Sequence, residues 1–129
     1  MLSGFDDSIY AIDISSNGTI LVAGIRDGTI SIWDLHSFRK LRTLTGHSDS
    51  VHGVALSPDG RLLASAGFDK TVRLWNVATG ERVHTWPAHR AKVSGVAFSP
   101  DGAWIASVAS DTTVRLCHVP HHSTRLSHP

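Results

Sequence analysis

His47, Ser65 and Asp69 supply an imidazole, a hydroxyl and a carboxylate, the three groups of an acyl-transfer triad. Such chemistry needs the serine exposed beside the histidine, with donors placed to hold an oxyanion. Ser65 instead falls inside residues 61–65, a short apolar run that reads as a strand, so a structural role is the expectation. A second group is Cys117 with His118, His121 and His122. Their spacing is crowded, Pro120 interrupts it, and no second ligand pair with zinc-site spacing lies elsewhere. A degenerate outer strand accounts for them better than a metal site. The glycines follow turn spacing, and no G-x-x-x-x-G-K pattern occurs. The residues therefore predict no enzyme, no cofactor and no metal.

What positions these residues is a repeat. Asp27, Asp69 and Asp111 are 42 residues apart, Trp33 and Trp75 keep that spacing, and Cys117 takes the third slot. Gly4, Gly46 and Ala88 run in step, as do Ser15-Ser16-Asn17-Gly18, Ser57-Pro58-Asp59-Gly60 and Ser99-Pro100-Asp101-Gly102. A fixed period near 40 residues means one supersecondary unit copied in tandem, each copy burying its faces on its neighbours. The repeats are residues 4–45, 46–87 and 88–129. The second and third match at 18 of 42 positions, and 16 of these lie between His47 and Leu74, so similarity decays toward the C-terminal end.

Within the middle repeat, residues 50–57 read as a buried strand, rich in Val and small residues. Ser57-Pro58-Asp59-Gly60 closes a hairpin, with Pro preset for the first corner and Gly free to take positive φ. Residues 61–65 and 71–75 are further strands, joined by a turn at 67–70. Residues 81–86 alternate polar and apolar as an outer strand does. No helical periodicity lasts beyond ten residues. The reading is all-β, each repeat contributing four short antiparallel strands. In the third repeat alternation collapses after Val119, which leaves residues 121–129 as a frayed edge, a disordered stretch or the scar of a truncation.

Composition narrows the partners. Hydrophobic residues make up 41% and charged residues 18% of 129, with a net charge of +1. No Lys/Arg run exceeds Arg39-Lys40, so the chain offers no field for nucleic acid. No apolar run approaches the roughly 20 residues of a membrane span. A single cysteine and an acidic N-terminal segment without a basic n-region predict a cytoplasmic protein.

The run from Gly46-His47 through Ser57-Pro58-Asp59-Gly60 to Leu74-Trp75-Asn76, recurring in register, closely resembles the WD-repeat β-propeller family over residues 4–119. Repeat 1 ends in Trp33-Asp34, repeat 3 in Cys117-His118. The resemblance implies a propeller made of four-stranded blades, and a structural tetrad of His47, Ser65, Asp69 and Trp75, in which Trp75 occupies the Ser65 hydroxyl. Repeat 1 keeps Asp27 and Trp33 but has Phe5 and Ala23 in the other slots. Repeat 3 keeps His89, Ser107 and Asp111 with Cys117 for the Trp. The middle blade is thus expected to be the most rigid.

The family often binds partners on the rim formed by the start of the first strand and the turn between the second and third. The matching positions are Tyr10, His52 and Ser94, and Arg26, Phe68 and Ser110. Tyr, Arg and Phe are types enriched at interface hot spots, and Phe68 in an exposed turn is expected to project toward a partner unless it packs on a neighbouring blade. Rings of this kind use typically four to eight blades. Three form an incomplete, open propeller, closed either by a second copy joined head to tail into a six-bladed ring or by blades of a larger WD-repeat protein of which this chain is a fragment or partial copy. The implied function is a non-catalytic protein–protein interaction scaffold binding a protein or peptide. The alternative is a regulatory or sensing segment of a signalling kinase or NTPase whose catalytic domain lies outside the chain.

Overall fold

The computed structural model describes residues 2–120, which form strands and turns with no helix. Eleven strands run in chain order: β1 (Ile9–Ile14), β2 (Ile20–Ile25), β3 (Ile30–Asp34), β4 (Arg39–Leu44), β5 (Val51–Leu56), β6 (Leu62–Gly67), β7 (Val72–Asn76), β8 (Arg82–Trp86), β9 (Val93–Phe98), β10 (Trp104–Ala109) and β11 (Val114–His118). They build three antiparallel meanders, β1-β2-β3-β4, β5-β6-β7-β8 and β9-β10-β11, each one blade. The expectation of four strands per blade holds for the first two. The third has three among the described residues, and the fourth expected there, with His121 and His122, lies outside them.

The hairpins form where turn chemistry demands. In blade 2 the Ser57 hydroxyl donates to the Asp59 carboxylate (2.7 Å) and accepts from the Leu62 amide (3.0 Å), while the Gly60 amide reaches the Ser57 carbonyl (2.8 Å). Gly60 takes φ 74°, a left-handed value that a Cβ disfavours. Gly18 and Gly102 share that value in the equivalent turns. The hydrogen bond from the Ser57 hydroxyl, with that from the Arg61 amide (3.0 Å), holds the Asp59 carboxyl below the usual range.

Period-2 alternation then sends side chains to opposite blade faces. From blade 2, Val51, Val54, Leu56, Leu63 and Trp75 pack against Val22, Ile30, Ile32 and Leu44 of blade 1. Ala64, Ala66, Val72 and Leu74 pack the other way, against Val93, Ile105 and Cys117 of blade 3. The core is therefore two interblade layers, not one centre. Polar links reinforce the first: the Asp13 carboxylate accepts from the Leu56 amide (2.8 Å), the Ser50 hydroxyl donates to the Arg26 carbonyl (2.8 Å), and the Arg42 guanidinium donates to the Ala78 carbonyl (2.7 Å). At this layer β2 and β5 approach so closely that a Cβ on Gly24 would lie 2.7 Å from a Val51 methyl.

Candidate functional site

β6 and β7 set Ser65, opposite Arg73, diagonal to Trp75, opposite Leu63, in one sheet, and the segment before β5 brings His47 to Ser65. The Trp75 indole N–H donates to the Ser65 hydroxyl at 2.9 Å. Ser65 Oγ lies 2.7 Å from His47 Nε2, and His47 Nδ1 lies 3.0 Å from Asp69 Oδ2. An indole nitrogen only donates and an ionised carboxylate only accepts, so Nδ1–H donates to Asp69, and with a neutral ring Ser65 O–H donates to Nε2. Asp69 also accepts from the Thr71 hydroxyl (2.8 Å) and the Ser48 amide (3.1 Å), with the Arg73 guanidinium 3.7 Å away. Burial pushes the Asp69 carboxyl up, but the hydrogen bonds from His47 and Thr71, the His47 ring and the Ser48 amide together outweigh it and hold it far below the usual range.

The Ser65–His47–Asp69 connectivity is that of a hydrolytic triad, yet Ser65 is 0% exposed and its lone pair is already engaged by Trp75. No substrate carbonyl can reach it. The network joins two strands, β6 and β7, to the segment before β5 and to the turn after β6.

The flanking blades carry partial versions. In blade 3, His89 Nε2 lies 2.8 Å from Ser107 Oγ and His89 Nδ1 lies 3.1 Å from Asp111 Oδ2. Ser107 is buried too. The Thr113 hydroxyl donates to Asp111 at 2.6 Å and, with the Arg90 amide, draws that carboxyl far below its ordinary range. Cys117 occupies the Trp slot, buried, and burial raises its thiol pKa. His118, the next residue, points the other way and meets Trp104 edge-on at 4.8 Å. In blade 1 the Trp33 indole donates instead to Ser31 at 3.1 Å, and Phe5 packs on its ring at 5.0 Å. Asp27 is exposed and bonds only within its turn, to Thr29 at 2.6 Å. Two contributors escaped the sequence reading. The threonines 29, 71 and 113 follow each Asp by two residues, a signal visible in the repeat, whereas Ser31 has no counterpart in the other blades.

On the rim, Tyr10, His52 and Phe68 form one stack: Tyr10 on His52 at 4.4 Å, His52 on Phe68 at 3.5 Å with rings 2° from parallel. The Lys92 ammonium of blade 3 sits 4.8 Å over the Phe68 ring. This corrects the expectation of a freely projecting Phe68. Its ring is half-buried, with His52 stacked on it and Lys92 over it, while Tyr10 is 46% exposed at the end of the stack. Desolvation in the stack, with Lys92 nearby, lowers the His52 pKa against the opposing pull of Asp49. Arg26 forms an exposed ion pair with Asp7 at 3.9 Å, and Ser94 and Ser110 lie exposed on blade 3, the Ser110 amide donating to the Lys92 carbonyl at 3.1 Å. Lys92 is the rim residue that sequence reasoning missed, because its slot holds serine in the other two repeats.

Tandem antiparallel meanders, interblade cores and a buried His–Ser–Asp–Trp network define a repeat-built propeller segment, generally a non-catalytic class. The family model "WD domain, G-beta repeat" matches residues 1–34, 38–76 and 80–118, and the chain belongs to that family. Among solved structures it is similar to the WD40 repeats of RRP9 (29% identity, TM-score 0.87) and to U3-55K (29% identity, TM-score 0.88). Each comparison covers 92% of this chain, and the chain spans 37% and 38% of those two chains. No curated protein matches it.

Proposed function

We propose that this chain is a non-catalytic protein-interaction scaffold whose rim, centred on the Tyr10–His52–Phe68 stack, captures a protein segment or peptide. The observation that carries the reading is the stack itself, capped by Lys92 and crossing all three blades on one edge. Stacked rings offer broad apolar contact at little entropic cost, and the ammonium adds a directional partner for a carboxylate or carbonyl. The lowered His52 pKa keeps that ring neutral near pH 7, so the stack presents one cation rather than two. A peptide suits this rim better than nucleic acid, which would need more positive charge than a net +1 chain supplies.

The blades that complete the arc lie outside these residues, in a longer WD-repeat protein of which this is a part or in a second copy. The single cysteine and the moderate charge favour a cytoplasmic setting. Among the described residues no helix is long and apolar enough to cross a membrane.

The test is selection of peptides from a displayed library on the immobilised chain, followed by affinities for variants. Phe68→Ala should weaken a selected peptide by about 1–3 kcal/mol, the usual range for truncating a hot-spot residue, and lower stability by less than that. Unchanged affinity with lowered stability would make Phe68 a packing residue and remove the rim as the binding site.

A further inference from the structure

The two internal joints are built from the same slots. In the first, Ile30 and Ile32 pack against Val51, Val54 and Leu56. In the second, 42 residues on, Val72 and Leu74 pack against Val93, Val96 and Phe98. A further 42 residues place Val114 and Leu116 in the donor slots of blade 3, and stepping back places Ile9, Ile12 and Ile14 in the acceptor slots of blade 1. Ile30, Ile32, Val72 and Leu74 are 0% exposed, whereas Val114 is 67% and Leu116 63% exposed. Ile12 is 62% and Ile14 50% exposed. The outer face of blade 3 and the outer face of blade 1 therefore carry the two complementary slot sets of such a joint.

We propose that these faces pair between two copies of this chain, blade 3 of each against blade 1 of the other. The contact is heterologous, and a pair of copies that forms both joints is a closed assembly of two. Strands spaced about 4.8 Å apart and roughly 17 Å long give each face an area on the order of 300 Å². One joint then buries roughly 600 Å², too little for a stable complex, and two bury roughly 1,200 Å², the lower bound of the stable range. Closure is thus favoured over an open pair. One slot departs from the internal pattern: the position of Gly24, which lies against Val51, holds Ala66 in blade 2 and Val108 in blade 3, so the third joint sets the bulkier Val108 against Ile9.

This pairing does not use Phe68, His52 or Lys92, so a failed peptide selection leaves it standing. Its test uses the whole chain and two surface variants, Ile12→Glu and Leu116→Glu, in light scattering after size exclusion. The wild type should run at twice the 13.9 kDa monomer mass. Each variant alone should run as a monomer, because every copy lacks the same half of the joint. Mixed in equal amounts they should form a one-joint heterodimer at raised concentration, detectable as a rise in mean mass that neither variant gives alone, and that rise also shows both are folded. A monomeric wild type overturns the proposal. So does a variant that stays dimeric alone, since the faces would then be pairing like with like or not at all.

Discussion

Asp69 is the residue on which the middle blade turns. Its carboxylate accepts from His47, Thr71 and Ser48, and its side chain is only 5% exposed. Asp69→Ala strands an imidazole N–H and a hydroxyl away from water, at an expected cost of about 2–4 kcal/mol. Asp27→Ala removes a carboxylate that bonds only Thr29 at the surface and should cost under about 1 kcal/mol. Urea unfolding of the two variants checks the contrast, and equal losses would count against it. The same carboxylate sets a pH dependence. Its pKa is depressed in the folded chain, so the unfolded chain binds more protons below about pH 4, the ordinary carboxylate range. The stability it contributes is fully present above that value and drains away as pH falls through the folded pKa. Asp69→Asn should therefore flatten the acid limb of stability against pH, and an unchanged limb would place the titration elsewhere. The four residues of this chain of bonds were readable from repeat register and resemblance. Thr71 was readable too, had the threonine two places after each Asp been weighed.

The blades differ at the scale of the element because their slots have diverged together. Trp75 fits beside Gly46, where an added Cβ would come within 3.1 Å of the indole. Blade 3 has Ala88 in that slot and Cys117 in place of the indole, so the methyl and the smaller thiol go together. Cys117→Trp alone should overpack and destabilise by about 1–3 kcal/mol, despite offering Ser107 the donor it lacks. Ala88→Gly combined with Cys117→Trp should recover much of that loss, a coupling that a double-mutant cycle in urea measures. Strictly additive effects would mean that Ala88 does not set the slot. Strand positions were legible within a residue or two, since Pro-Asp-Gly turns and Val-rich runs bracket them. The Phe68 environment was not, because a ring stack across blades depends on how two sheets meet and leaves no periodic mark in one sequence. Ser31 was missed for a different reason: blade 1 satisfies its indole with a hydroxyl two residues away on the same strand, where the other repeats have Arg73 and Arg115.

For the whole molecule, the repeat period made the architecture and its incompleteness legible together. Two apolar layers hold three blades, and the middle blade contributes to both while each end blade contributes to one. Val114 and Leu116 on one side and Ile12 and Ile14 on the other stay exposed in slots that the inner joints bury. Local opening should follow this asymmetry, since elements with few buried apolar contacts open most readily. The central claim, an open arc organised around a fully networked middle blade, is tested most directly by amide hydrogen exchange at a concentration low enough to keep the chain monomeric. Exchange should be slowest in β5, β6 and β7, and faster by a factor of ten or more in β1 and β11, a free-energy difference of about 1.4 kcal/mol or more at opening equilibrium. Uniformly slow exchange from β1 through β11 would contradict it, because the end faces would then be as well supported as the centre.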